Sequence, residues 1–209
     1  MTHLKRQKAT TKLPIPRKGT TFIARPRSNL NNSVSVVAAV RDMLKLARST
    51  KEVKKMIHNK SLKLNGKLIR DHRESISLFN LLEADKSYFL TLLPTKKFSL
   101  SPSKTSDTTL CKITNKKILS KDKIQLNCHD GTNLISKDKI SVGDSVHIDF
   151  SGKIKKHIIL EKGKSIFIMS GKYVGLEGKI ESKKGKKIEI NIDKKEIPTT
   201  LNEYQIIAK

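Results

Sequence analysis

Aromatic residues and long apolar runs are scarce in this 209-residue sequence. It contains no tryptophan, six phenylalanines and three tyrosines, which are too few for one large aromatic core. No apolar run approaches the roughly 18 residues that a membrane helix needs. No apolar stretch follows the basic N-terminus, so a secretory signal is not predicted either. The apolar residues make up 36% of the chain, which allows small cores. Because long apolar runs are missing, we predict no membrane partner.

Cysteine is equally rare, with only Cys111 and Cys128 in the chain. The two lack CxxC spacing and have no local set of histidine partners, so a four-ligand zinc site is not predicted. We expect free thiols, buried or half-buried, in a reducing compartment. The sequence predicts neither a bound metal nor a cofactor.

Signs of catalysis are weak. His129 and Asp130 suggest a general base, but Asp130-Gly131 is more typical of a hairpin turn. Cys128 and His129 cannot act as a dyad, because adjacent strand residues point to opposite faces. A Walker loop and a Rossmann fingerprint are both missing from the sequence. We therefore predict a protein that is not an enzyme and has no small-molecule substrate.

Acidic residues are few, and their absence is most pronounced at the N-terminus. The chain has 44 lysines and arginines against 19 acidic residues, a formal net charge of +25, and no acidic residue precedes Asp42. Such a chain attracts polyanions, which include nucleic acid, anionic membranes and acidic proteins. Phosphate neutralisation releases condensed counterions and can supply most of the binding free energy.

Residues 1–33 are predicted to form a basic extended arm that orders on a nucleic acid, with a merely solvated tail as the alternative. Pro26 fixes the backbone between Arg25 and Arg27. Two guanidinium groups on a stiffened backbone suit bidentate phosphate contacts better than lysines would.

Residues 34–95 are predicted to form a helix-turn-helix-hairpin domain. Apolar residues at helical spacing indicate a first helix near 34–47. Ser49 and Glu52 have capping-box spacing and should begin a second helix. Asn65-Gly66, flanked by alternating residues, predicts a hairpin. Lysines and arginines crowd the turn and second helix, where they form either an RNA-binding face or a solubilising one.

The remainder of the chain is typical of β-structure. Residues 96–108 are rich in Ser, Thr and Lys and are interpreted as a boundary or a long loop. Short apolar runs over 109–161, separated by turn signals, predict a small barrel or sandwich, and similar runs over 162–209 fit a second small barrel. A glycine-rich turn from Gly171 to Gly178 carries Lys172 and Lys179 as candidate phosphate contacts, with glycines expected to take positive φ there. The predicted class is therefore α+β.

Three blocks of this sequence resemble the archaeal and eukaryotic small-subunit ribosomal protein S-four-e family. The blocks are His3-Leu4-Lys5-Arg6 with Pro14 to Gly19 and Arg25-Pro26-Arg27, then Arg41 to Gly66, and Gly171 to Ile180. The second block is also similar to the wider ribosomal-protein-four RNA-binding module, and the third looks like a KOW motif. Two departures from the family stand out. Lys60 stands where the family usually has glycine, and we expect Asn59 to take the left-handed backbone conformation instead. Leu13 stands where the family usually has tryptophan.

The resemblance implies four segments: an arm over 1–33, an RNA-binding domain over 34–95, a central β-domain over 96–161 and an SH3-like KOW domain over 162–209. It implies a structural protein of the cytoplasmic ribosome, bound to small-subunit ribosomal RNA and to neighbouring small-subunit proteins. The alternatives are a non-ribosomal RNA-binding regulator of transcription or translation and an RNA-modifying enzyme. The candidate RNA-binding residues are Lys5, Arg6, Arg17, Lys18, Arg25, Arg27, Arg41, Lys45, Arg48, Lys51, Lys54, Lys55, Lys172 and Lys179.

Overall fold

The computed structural model describes residues 3–16, 18–103, 108–120, 123–138, 140–192 and 195–209. The chain is mostly β-structure with few helices, and it divides into two compact units, Met1–Asp107 and Thr108–Lys209. No helix in the described part of the chain combines the length and the apolar character needed to span a membrane.

The described residues of the first unit form one α-helix and three antiparallel sheets. Its strands pair in the orders β1-β2, β3-β6 and β5-β4-β7-β8-β9. The elements are β1 (His3–Lys5), β2 (Phe22–Ala24), β3 (Ser33–Ser35), a π-helical segment (Ala38–Met43), α1 (Thr50–His58), β4 (Lys63–Leu64), β5 (Lys67–Leu68), β6 (Ser75–Ser77), β7 (Leu81–Glu83), β8 (Ser87–Leu92) and β9 (Phe98–Pro102), with a 3-10 turn at Arg6–Lys8.

The second unit contains two five-stranded antiparallel sheets. Their strand orders are β12-β11-β10-β13-β14 and β18-β17-β16-β15-β19. The strands are β10 (Thr108–Ser120), β11 (Lys123–Cys128), β12 (Asn133–Ser136), β13 (Ser145–Asp149), β14 (Ile154–Ile158), β15 (Ser165–Ile168), β16 (Glu177–Lys184), β17 (Lys187–Ile192), β18 (Lys195–Asn202) and β19 (Ile206–Ala208), with a 3-10 turn at Glu203–Gln205. The two sheets cover two clusters of buried residues, as alternating strands should. One contains Cys111 and Cys128 among Ile, Leu and Val residues, and the other is mostly isoleucine and includes Ile158 from the end of β14.

The N-terminal arm is not simply extended, which corrects the prediction for residues 1–33. β1 pairs with β2, with His3 opposite Ala24. Leu13 is 5% exposed, and the backbone N–H of Phe98 donates to the carbonyl of Lys12 at 2.8 Å. The apolar side chain at position 13 and these backbone bonds fold the arm onto its own unit.

The first predicted helix is shorter than expected and has π-helical geometry. Ser33–Ser35 forms β3 and pairs with β6 instead of starting a helix. The Leu44 N–H donates to the Ala39 carbonyl, an i to i+5 bond of 2.9 Å, and Lys45 then takes a left-handed φ of 57°. Helical spacing of the apolar residues identified the buried face and overestimated the length of the helix.

The second helix and the hairpin are confirmed. The Ser49 side chain accepts from the Glu52 N–H at 3.3 Å and caps α1. Asn65 and Gly66 both have positive φ, 49° and 73°, which is the geometry of a type I′ turn. The expectation for Asn59 is wrong: its φ is −73°, and Lys60 itself takes the left-handed conformation with φ 57°.

Two further predictions are corrected in the β-structure. Residues 98–102 of the supposed loop form β9, because Phe98 is 2% exposed and pairs with Leu92 of β8. The surrounding Ser and Thr residues obscured this pattern in the sequence.

The glycine-rich turn differs from the prediction at one position. Gly171 and Gly175 have positive φ as expected, but Gly178 lies in β16. A Cβ at Gly178 would stand 2.4 Å from the Asn191 carbonyl oxygen, so glycine is needed there for close approach of β17.

Candidate nucleic-acid interface

Helix α1 presents an almost uniformly basic exposed face. Its cap fixes the one acidic residue of the first turn: the Glu52 carboxylate accepts from the Arg48 N–H at 2.8 Å and from the Ser49 hydroxyl at 3.0 Å. The backbone bond from Arg48, followed by the Ser49 hydroxyl, holds the pKa of Glu52 below its usual value. Val53 is fully buried, so the opposite face of the helix is fixed against the unit. Lys51, Lys54 and Lys55 are exposed.

An open groove runs between the end of α1 and the second strand of the hairpin. Its sides combine lysine and arginine with the apolar Ile57, Leu68 and Ile69. The polar residues that line it are Lys54, His58, Lys60, Lys67, Arg70, His72 and Glu74. Only Lys54 among these was predicted as a site residue. Lys60, Lys67 and Arg70 were missed because they lie on the far side of a turn and a hairpin, and no local spacing joins them to the helix.

Among the described residues that line the groove, Glu74 provides the one carboxylate, and that carboxylate already accepts hydrogen bonds. The Glu74 Oε1 accepts from the backbone N–H groups of Arg70 at 2.7 Å and Asp71 at 3.1 Å. Among the described residues, no ion pair joins Lys54, Lys60, Lys67 or Arg70 to a carboxylate. All four side chains are exposed, so their charge remains available to a ligand.

Opposing influences act on the pKa of His72, which lies at the edge of the groove. Burial lowers its pKa, and Lys54 and Arg73 lower it further, while Asp71 opposes them. The His72 Nδ1 lies 3.0 Å from Asp71 Oδ1. Below the ordinary histidine pKa, protonation of His72 would add positive charge beside Lys54.

The predicted basic residues near the groove differ in whether another side chain already binds their charge. The Arg41 guanidinium donates to both carboxylate oxygens of Asp42, at 2.8 and 2.9 Å, and to the Thr50 hydroxyl at 3.2 Å. The hydrogen bond with Asp42 raises the pKa of Arg41. Arg41 does not line the groove. Lys45 and Arg48 are exposed on the approach to α1 and lie outside the groove as well.

The arm contains a second basic concavity, lined by Lys5, Arg6, Lys18 and Lys97 among others. Arg6 stabilises the arm itself, because its guanidinium donates to the carbonyls of Thr20 at 2.7 Å and Pro16 at 2.6 Å. Lys5 and Lys18 are exposed.

Arg25 and Arg27, the other predicted residues of the arm that the structure describes, do not line this concavity. Arg17 falls outside the described residues. Arg25 is half-buried and Arg27 is exposed, and the Arg27 N–H donates to the Arg73 carbonyl at 2.9 Å.

In the second unit, Lys172 and Lys179 are both exposed but lie in different settings. The Lys172 ammonium stands 5.7 Å from the centroid of the Tyr173 ring, a cation–π distance. Lys179 lies in β16 and, with Lys162, lines a shallow groove that also includes Asn191. Lys162 is a further basic residue that the sequence reading did not select. For all the predicted contacts, RNA binding stays a prediction.

A family model and related sequences both show similarity to one family of proteins. The family described as Ribosomal family S4e matches residues 84–155. The small ribosomal subunit protein eS4 of Methanocella arvoryzae is 31% identical over 206 residues, covering 95% of this chain and 85% of the relative. The protein of the same name from Methanococcus maripaludis is 34% identical over 194 residues, covering 85% of this chain and 80% of the relative.

A solved structure has the same fold. The crystal structure of the 30S ribosomal protein S4e from Thermoplasma acidophilum superposes with a TM-score of 0.73 and 24% identity, covering 85% of this chain and 95% of that one. The two relatives, at 31% and 34% identity over most of their length, place the chain in the class of ribosomal proteins. More narrowly, the chain belongs to the S4e family, which confirms the resemblance recognised in the sequence.

Proposed function

We propose that this chain is a structural, non-enzymatic constituent of the small subunit of the cytoplasmic ribosome. It binds small-subunit ribosomal RNA through lysine and arginine contacts to phosphates and packs against neighbouring small-subunit proteins. The observation that carries the proposal is the groove beside α1. Lys54, Lys60, Lys67 and Arg70 line it, and Glu74, the one carboxylate among its described lining residues, is bonded to backbone N–H groups. The relatives named above are small ribosomal subunit proteins, which supports the same function.

The four-segment division belongs to this proposal. α1 and the β4–β5 hairpin support an RNA-binding module within 34–95. The sheet β18-β17-β16-β15-β19, which covers an isoleucine-rich core, supports an SH3-like barrel of KOW type over 162–209. The β16–β17 hairpin extends its basic tip beyond that core, with Lys183 and Lys187 exposed.

The chemistry of recognition follows from composition and groove shape. A-form RNA exposes its backbone and 2′-hydroxyls while its base edges lie in a narrow, deep major groove. With aromatic residues at 4% of the chain, base stacking cannot dominate, so charge-assisted contacts to phosphate supply the affinity. An open groove with basic sides and a partly apolar base can accept a sugar-phosphate strand.

A triple variant, Lys54→Ala with Lys67→Ala and Arg70→Ala, tests the groove directly. We expect binding to a small-subunit ribosomal RNA transcript to weaken about a thousandfold, because each charge-assisted bond contributes roughly 1.5 kcal/mol and tenfold corresponds to about 1.4 kcal/mol. The slope of log K against log salt should become shallower by about 2 to 3 units. Filter binding across a salt series measures both quantities.

The matched control keeps the charges and changes the side chains: Lys54→Arg with Lys67→Arg and Arg70→Lys. It should retain the steep salt dependence if phosphate neutralisation drives binding. Sucrose-gradient sedimentation of a cell lysate then shows which particle the protein is bound to in the cell. Co-migration with small subunits through a moderate salt wash supports the proposal, whereas free or polymerase-bound protein would favour the regulator and contradict it.

A further inference from the structure

Three side chains of the central sheet direct sulfur and oxygen donors toward one point. Cys111 lies in β10, Cys128 ends β11 and Asp130 lies in the turn that leads to β12. One ligand atom from each lies within 4.8 Å of the other two, and the Cys111 Sγ is 3.4 Å from the Asp130 Oδ2. β-Pairing produces this cluster, because Cys128 stands opposite Ile113, two residues beyond Cys111.

The donors are held in place before any ligand arrives. The Asp130 carboxylate accepts from the Thr132 N–H at 2.9 Å and from the Thr132 hydroxyl at 2.8 Å. The Cys128 N–H donates to the Thr132 carbonyl at 2.9 Å, and the Gly131 N–H donates back to the Cys128 carbonyl at 3.1 Å. Cys111 and Cys128 are 1% and 5% exposed, so neither thiol is free to rotate into solvent.

The spacing and chemistry of this set match a thiophilic divalent cation. Zinc binds thiolate sulfur at about 2.3 Å and carboxylate oxygen at about 2.0 Å. Two such donors at a tetrahedral centre stand about 3.5 Å apart, close to the observed sulfur–oxygen separation. Thiolates favour zinc over magnesium or calcium.

We propose that Cys111, Cys128 and Asp130 form a zinc-class metal site with three protein donors and solvent in the fourth position. Binding converts two thiols into thiolates and releases their two protons, so affinity rises with pH. The bound ion joins β10, β11 and the β11–β12 turn, and its function is to stabilise the second unit. The proposal does not depend on RNA binding, so each can fail without the other.

The test uses the full-length chain purified under a non-thiol reductant and loaded with Co²⁺ or Zn²⁺. We expect one ion per chain by mass spectrometry of the metal. The cobalt form should show a sulfur-to-cobalt charge-transfer band in the near ultraviolet. Zinc should raise the unfolding temperature of the second unit by mass action and slow alkylation of both cysteines.

Cys128→Ser should abolish the charge-transfer band, and Asp130→Asn should weaken metal binding at least tenfold while leaving the band when metal is saturating. Asp138→Asn is the matched control: Asp138 lies in the loop after β12, where its carboxylate accepts from the Ser136 hydroxyl, and the variant should bind like the parent chain. Metal content that survives Cys128→Ser overturns the proposal. So does a chain whose mass is lower by two hydrogens and which takes up no metal, because that result identifies a Cys111–Cys128 disulfide.

Discussion

The two compact units form their left-handed backbone positions with different residues. In the first unit, six described positions with positive φ are occupied by non-glycine residues, beside the two glycines Gly19 and Gly66; the six are Asn29, Lys45, Lys60, Asn65, Phe79 and Lys96. In the described part of the second unit, left-handed positions are occupied by glycines, from Gly131 to Gly185. A side chain in this conformation costs about 1 kcal/mol or more. The first unit therefore retains side chains, including lysines at its surface, at positions where glycine would be more stable.

Lysine is also used differently in the two units. Lys54, Lys60 and Lys67 of the first unit are exposed around an open groove. Lys112 of the second unit is 1% exposed, and its ammonium donates to the backbone carbonyls of Glu203 and Ile206. The same residue type thus offers charge to a ligand in one unit and satisfies buried carbonyls in the other. A count of basic residues along the sequence does not separate the two uses.

The largest expected effect concerns the buried charge. The pKa of Lys112 falls from the usual 10.5 to about 8, mainly because burial penalises the ammonium, while Glu203 opposes the shift. The folded chain therefore holds fewer protons than the unfolded chain between those two values. The contribution of Lys112 to the free energy of unfolding should therefore rise by about 3 kcal/mol from pH 8 to pH 10.5.

Pulsed thiol labelling across a urea series measures this, because Cys111 and Cys128 both report on the second unit. A chelator is included so that metal does not contribute. Lys112→Met should remove the pH-dependent increment, and the exposed Lys54→Met should leave it unchanged. An identical pH dependence in Lys112→Met and the parent chain would show that Lys112 does not titrate as the structure indicates.

A smaller effect is expected where strands of the second unit approach closely. Gly178→Ala places a Cβ 2.4 Å from the Asn191 carbonyl oxygen and 3.0 Å from the Ile190 Cγ2, so β16 and β17 must separate. We expect a loss of about 2 kcal/mol, measured by the same thiol labelling. Gly185→Ala is the comparison variant: no atom lies within 4 Å of its new Cβ, so it carries only the strain of its φ of 62°, about 1 kcal/mol, and should cost less than Gly178→Ala. Equal losses would contradict the packing argument.

The smallest effect tests the left-handed positions themselves. Lys60→Gly removes the steric strain of a side chain at φ 57° and should stabilise the first unit by about 1 kcal/mol. Because Lys60 lines the groove, the same change should weaken RNA binding. Hydrogen exchange of the α1 amides measures the first effect and filter binding the second.

Gly152→Ala is the reciprocal change in the second unit, where φ is 83° and no atom lies near the new Cβ. It should destabilise that unit by a similar amount. A Lys60→Gly variant that is no more stable than the parent would show that the lysine side chain compensates for its backbone.

Local patterns predicted those features that local physics controls. Ser49 and Glu52 form the cap because the bond spans three residues, and Asn65-Gly66 forms the turn because both residues tolerate positive φ. Patterns failed where a distant partner decided the outcome. Ser33–Ser35 became a strand because Ser75–Ser77 pairs with it, and Phe98 began a strand because β8 supplies the neighbour. The four-segment division and the predicted RNA contacts remain predictions.

The sequence by itself determined the family, the excess of positive charge and the alternation of apolar residues that makes the chain mostly β-structure. These properties depend on residue type and short-range spacing. Only the tertiary structure decided which lysines share the groove, which lysine is buried, and that Cys111 and Cys128 meet across a strand pair with Asp130. The physical reason is that strand register and turn geometry bring together residues distant in sequence, and the free energy of a charge or a thiol depends on those neighbours rather than on its position in the chain.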